Sequence, residues 1–318
     1  MLIASKYQKT IFDFVKKGKC NAIIEAVAGS GKTTTIVNAL ELTKPTDDVV
    51  FLSFNKAIAE ELKNRVPRNV QARTFHSLCY GVVTKHAKVR RVNSYKTDDL
   101  MRDALPESEY KMYGSFVKRL VSVAKQCGLG VLHPADEAHF MAIIEEQDLE
   151  LENERATETR AVQIAKLILE RGNVIKPLGG ETMVDFDDLL YFPVLLGLKL
   201  PVFDWVFVDE AQDTNQIQRA LLRKLLHPRT RLIAVGDSAQ AIYGFRGADS
   251  DAMKLLAADF QPCTLLPLSV SYRCPVKVVE KAKQYVAAIE ARPGAPAGEV
   301  SDLQFNWKPQ DFGPHDLV

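Results

Sequence analysis

The sequence predicts an α/β protein, a parallel sheet covered by helices on both faces and interrupted once by a long helical insertion. Five short apolar runs rich in β-branched residues read as buried strands: Ala22–Ile24, Val49–Phe54, Trp205–Val208, Leu232–Val235 and Thr264–Leu268. Helical patterns such as Thr33–Leu42 and Lys56–Arg65 lie between them, and strands that alternate with helices build parallel sheets buried on both sides. From about residue 86 to 180 the strand signal stops, and charged amphipathic segments, Glu109–Gln126 and Ala135–Lys176, take over.

The 318 residues suit two or three compact units, and 47% hydrophobic with 25% charged residues describes an ordinary globular chain. A formal net charge of +1 gives no general attraction to nucleic acid, so any such contact must come from local groups. The five cysteines, Cys20, Cys79, Cys127, Cys263 and Cys274, form no CxxC pair, which argues against a zinc site or disulfide framework. The longest apolar stretch, Leu189–Phe203, is broken by Pro193, Lys199 and Pro201, is too short for a membrane span, and reads as buried core. The opening MLIASKYQKTIFDF lacks the features of a secretory signal, so the protein is expected in the cytoplasm with no membrane partner.

The first strand runs into Ala26-Val27-Ala28-Gly29-Ser30-Gly31-Lys32-Thr33 and then a helix, the setting in which a glycine-rich turn becomes a phosphate-binding P-loop. Gly29 and Gly31 allow a tight turn whose backbone N–H groups converge on phosphate, and the helix N-terminus adds its positive dipole end. Lys32 is placed to reach the β- and γ-phosphates of a bound nucleotide, and the Thr33 hydroxyl to ligate Mg²⁺. Thr34 follows in the same turn.

A second apolar strand ends in Asp209-Glu210-Ala211-Gln212-Asp213, two adjacent carboxylates at the edge where open α/β sheets bind ligands. Alone, this would read as a solvated acidic strand end; beside a P-loop it reads as Asp209 holding Mg²⁺ and Glu210 activating the attacking water. A neighbouring strand ends in Gly236-Asp237-Ser238-Ala239-Gln240, which puts the Gln240 amide within reach of the γ-phosphate. The expected class is a P-loop NTPase.

The segments KYQKTIF, AVAGSGKTTT, FLSFNKAIAEEL, ARTFHSLCY, VDFDDLL, VDEAQDTNQIQ, GDSAQAIYGFRGA and LSVSYRCP, in that order, resemble the superfamily 1 DNA helicases of the UvrD/Rep/PcrA type. The resemblance implies a RecA-like sheet, with Gln8 reading adenine, Tyr272 stacking on it and Arg273 acting as an arginine finger on the γ-phosphate. It also implies a single-stranded DNA track. Phe54, Asn55 and Lys56, then Thr74, Phe75 and His76, and a patch of Tyr243, Phe245 and Arg246 look like its contacts, aromatic rings suiting a motor that slides because every base has a stackable face. Phe245 stands where the family more often has Trp, and Ser271 where it usually has Asn.

On this resemblance residues 1–85 and 181–265 form a first motor domain, 86–180 an insertion, and 266–318 the beginning of a second RecA-like domain. The family continues beyond LSVSYRCP, so the sequence is expected to be a fragment holding about the first half of such a protein. The implied activity is Mg-ATP-dependent movement along single-stranded DNA, 3′ to 5′, with unwinding at single-strand/duplex junctions. The alternative is a single-stranded-DNA-stimulated ATPase, a nucleotide-gated binding module without unwinding of its own.

Overall fold

The computed structural model describes residues 4–63, 65–89, 92–174, 183–241 and 251–300. The first stretch of the fold alternates strand and helix: α1 (Lys6–Lys17), β1 (Asn21–Ala26), α2 (Lys32–Leu40), β2 (Val49–Ser53), α3 (Lys56–Lys63), β3 (Val70–Thr74) and α4 (Phe75–Ala87). A purely helical stretch follows, α5 (Lys96–Ala104), α6 (Glu107–Gln126), α7 (Glu137–Glu146) and α8 (Glu158–Gly172). Then come α9 (Phe186–Leu195), β4 (Trp205–Val208), α10 (Gln216–Leu225), β5 (Arg231–Gly236), α11 (Ala252–Asp259) and β6 (Cys263–Leu268). A small βαβ unit closes the described chain, β7 (Val270–Ser271), α12 (Val276–Ala282) and β8 (Glu290–Ala291).

Six strands pair in the order β3-β2-β4-β5-β1-β6, every pair parallel, so all their C-terminal ends share one edge. The loops after β1 and β4 are separated by β5 alone, about 10 Å at two strand spacings. That distance sets the site, because a lysine and a glutamate side chain together span it.

Alternation along the strands gives each face its own core. Ile24, Phe51, Phe207 and Ile233 pack under α1 and α2 on one side. Val50, Leu52, Val206 and Leu232 face α4 and α9, and that core runs without a break into Val117, Leu120 and Ile168 of the helical stretch. Arg231 stacks over Trp205 at 4.1 Å and donates to the Phe14 and Val15 carbonyls, which closes the C-terminal end of α1. No helix among the described residues is long and apolar enough to cross a membrane.

Three features differ from the sequence reading. β3 was not among the expected strands: it is a five-residue edge strand with polar Gln71 and Arg73, too short and too polar to show a period. The single segment expected over Ala135–Lys176 is two helices, because Asp148 turns left-handed (φ 47°) and Thr157 caps a new start, accepting from Arg160 N. β6 pairs with β1 as far as Leu268, three residues beyond the boundary expected at 265.

Candidate functional site

β1 delivers the chain into a left-handed turn, Gly29 at φ 71° and Gly31 at φ 76°, values an L side chain adopts at a cost. Gly31 starts α2 with no side chain capping the helix, which leaves the first N–H groups available to an anion. The Ser30 hydroxyl is buried inside the turn and has no hydrogen-bond partner among the described residues. An orphaned buried hydroxyl within a cradle of backbone donors fits a phosphate group. Ala28 is half-buried on the loop, and Thr34 is exposed on the first turn of α2.

Lys32 Nζ reaches across the β5 gap to Glu210 Oε2 at 2.7 Å. Thr33 Oγ1 lies 3.4 Å from Asp209 Oδ2. A hydroxyl and a carboxylate held this close are hard oxygen donors of the kind Mg²⁺ takes, so the residues fit that ion. Burial, reinforced by the neighbouring Glu210 carboxylate, pushes the Asp209 carboxyl up to about 6. Glu210 itself sits in the left-handed region at φ 49° and ψ 44°, which aims its carboxylate at the P-loop rather than along β4.

Gln212, almost fully buried, ties the two acidic loops together. Its Nε2 donates to Glu210 Oε2 at 2.9 Å, and its Oε1 accepts from Asp237 N at 3.0 Å. Gly236 makes room for it, since a Cβ there would lie 2.7 Å from Gln212 Oε1. Gln240 is exposed beside this bridge and donates to Asp237 Oδ2 at 2.5 Å. Burial raises the Asp237 carboxyl.

The βαβ unit after β6 docks onto the P-loop through the backbone: Tyr272 N donates to Gly29 O at 2.8 Å. Gly29 is doubly constrained here, because a Cβ would fall 2.6 Å from Arg273 Cβ. The Tyr272 hydroxyl donates to Gln8 Oε1 at 3.2 Å, and Gln8 Nε2 donates to Thr35 Oγ1 at 3.0 Å. Gln8, Tyr272, Thr35 and the loop thus form one connected set, although they are far apart in sequence. Arg273 is exposed beside it with no ion pair among the described residues.

A cleft of about 870 Å³ opens on the same edge. Glu210 and Gln240 line one part, and Phe54, Asn55, Lys56 and His76 another. Phe75 corrects the sequence reading: it is buried at 1% exposure, because Thr74 caps α4 and the first helical turn carries the ring under the sheet. Its role is to back Phe54, ring centroids 5.7 Å apart. Thr74 is occupied in the capping box with Ser77. Burial lowers the His76 imidazole below its usual range, so the ring is neutral at pH 7. Tyr243, Phe245 and Arg246 lie outside the described residues.

Sequence reasoning singled out no residue of VDFDDLL, yet Phe186 is 56% exposed and meets His76 edge-on at 6.5 Å. A large exposed ring on the first turn of a helix whose next residues are core was the available signal. Gln212 was missed as well; only its place between two strand ends gives it a role.

The UvrD/REP helicase N-terminal domain family matches residues 8–261. The chain is similar to the ATP-dependent DNA helicase srs2 of Schizosaccharomyces pombe, 26% identical over 323 residues, covering 90% of this chain and 35% of that protein. It is similar to the ATP-dependent DNA helicase Rep of Buchnera aphidicola, 25% identical, covering 85% of this chain and 43% of that protein. The ATP-dependent DNA helicase PcrA of Staphylococcus aureus is 24% identical, with 86% and 38% covered. The chain therefore spans less than half the length of these curated relatives. With a parallel RecA-like sheet, a P-loop of the required geometry and a family match across most of its residues, this chain belongs to the UvrD/REP helicase N-terminal domain family.

Proposed function

We propose that this chain is the nucleotide-binding part of an ATP-dependent DNA helicase, coupling Mg-ATP hydrolysis to movement along single-stranded DNA. The observation that carries the reading is one cleft lined at one place by Glu210 and Gln240 and at another by Phe54, Lys56 and His76. Chemistry and strand contact sharing a surface is what a motor needs, since a ligand that does not distinguish two states shifts nothing.

Bound Mg²⁺ would be held by Thr33 and Asp209 and would offset negative charge on the phosphates. Lys32 is neutralised by Glu210 in the structure. When a phosphate takes over Lys32, the Glu210 carboxylate is released to orient water and accept its proton, while Gln212 keeps it aimed. Arg273 beside the P-loop would add a guanidinium to the γ-phosphate, and Gln8 with Tyr272 would frame the base. Phe54, backed by Phe75, offers a ring for base stacking, and Asn55 and Lys56 offer polar and cationic contacts to the backbone. Division into a motor domain, the helical insertion and a second RecA-like unit, travel from 3′ to 5′, action at single-strand/duplex junctions and a cytoplasmic setting belong to the same proposal.

The test is steady-state ATP hydrolysis by the full-length protein with and without single-stranded DNA, for the parent, Lys32→Ala and Glu210→Gln. DNA-stimulated turnover lost in both variants supports the motor; turnover indifferent to DNA overturns it. Displacement of a strand from a forked duplex separates a helicase from an ATPase module that does not unwind.

A further inference from the structure

The first turn of α9 is held by four charges with little contact with water. Lys125 Nζ, from α6, bridges Asp185 Oδ2 and Asp188 Oδ1, both at 2.8 Å. Lys96 Nζ, from α5, binds Asp188 Oδ2 at 2.6 Å and donates to the carbonyl of Gly172 at the end of α8, also at 2.6 Å. Both lysine side chains are 3% exposed, and Asp188 is 0% exposed. Three helices of the insertion therefore converge on one turn of the core.

The turn alternates between this network and the open surface. Asp185 and Asp188 point inward, and each accepts the other's backbone N–H in a capping box. Between them, Phe186 stands exposed against His76. Asp187 lines the cleft that holds Phe54 and Glu210, and also a second cleft of about 420 Å³ that Phe186 lines. Buried ion pairs stabilise a fold no better than apolar packing of equal volume, and apolar core surrounds this one. What charges supply and apolar contact does not is direction, because each carboxylate oxygen is fixed to one donor.

We infer that Lys96, Lys125, Asp185 and Asp188 are positioning residues that fix the insertion to α9 and thereby set Phe186 against His76 at the strand-contacting groove. The inference rests on the proposed function, since it takes single-stranded DNA as the occupant of that groove. The network acts through Phe186 and touches neither nucleotide nor strand.

The experiment uses the full-length protein and oligothymidylate, reading KM for ATP and, separately, the DNA concentration giving half-maximal stimulation. The paired substitution Lys125→Met with Asp185→Asn removes one charge of each sign, and Asn caps a helix as well as Asp does. The expected result is a roughly tenfold rise in the half-maximal DNA concentration, the scale of one stacked base, with KM for ATP changed less than about twofold. Phe186→Ala should give a similar rise, and adding it to the pair should give no further rise, as for residues acting in one chain. If the pair fails to fold, Asp185→Asn alone carries the same comparison with Phe186→Ala. Multiplying effects, or an unchanged DNA requirement in a DNA-stimulated parent, overturn the inference and leave the proposed function standing. A parent that DNA does not stimulate overturns both.

Discussion

Glu210 is a residue asked to do two things that conflict. Its left-handed backbone costs a non-glycine residue about 1–2 kcal/mol, and its carboxylate is what that conformation delivers to Lys32. Glu210→Ala and Glu210→Gly both lose the carboxylate and differ mainly in strain. The glycine variant should be the more stable by about 1 kcal/mol in urea unfolding, and both should lose ATP turnover by about 10²-fold or more. Equal stability would mean that the loop relaxes and stores no strain. Gly29 is the opposite case, a residue defined by what it lacks. Gly29→Ala meets Arg273 Cβ at 2.6 Å on a backbone at φ 71°, so thermal unfolding should show a loss of about 2 kcal/mol or more together with weaker nucleotide binding. A well-folded Gly29→Ala that binds nucleotide normally would mean the βαβ unit can lift off the P-loop freely.

Among elements, α9 carries the most electrostatic consequence. Burial, with the Asp185 charge next, pushes the Asp187 carboxyl up to about 6 from an ordinary 3.8. A folded value above the unfolded one means the stabilisation is complete below pH about 4 and is lost as pH rises through about 6. Asp187→Asn removes the ionisation, so it should match the parent at pH 4 and exceed it at pH 7.5. The side chain is partly exposed, so the gain should be on the order of 1 kcal/mol rather than the full value of the shift. Urea midpoints at the two pH values check this, and a parent that gains on Asp187→Asn as pH rises would reverse the sign. At the start of α4 and just after β2 the division of labour is mechanical: Phe75 is core and Phe54 its half-buried partner. Phe54→Ala should therefore weaken oligothymidylate binding by about 1–3 kcal/mol in a fluorescence titration and cost less stability than Phe75→Ala, which should lose about 3–5 kcal/mol.

At the scale of the molecule, the parallel sheet brings the loops after β1, β4 and β5 to one edge and the continuous core locks the helical insertion to the same body. If nucleotide and strand share the cleft, each must change the other's affinity by the same factor. Oligothymidylate affinity measured with and without a non-hydrolysable ATP analogue should shift by the factor by which DNA shifts affinity for that analogue. Two independent affinities would mean the surfaces are adjacent but uncoupled.

The sequence by itself determined the alternation of strand and helix, the P-loop with its two glycines, and the Asp209-Glu210 pair, because each is written in neighbouring residues whose spacing has a local physical meaning. Order and content of the motif segments were enough to reach the family. The tertiary structure decided what depends on residues distant in sequence. Whether Phe75 faces out or in is settled by the Thr74 cap and the packing beneath β2 and β3, not by its own identity. Gln212 and Gly236 matter because two strand ends lie side by side, and Gly29 tolerates no side chain because Arg273 folds back from more than two hundred positions later. The buried lysines of α5 and α6 look like ordinary surface charges in sequence; only the approach of α9 turns them into partners of Asp185 and Asp188, since burial is a property of the assembled core.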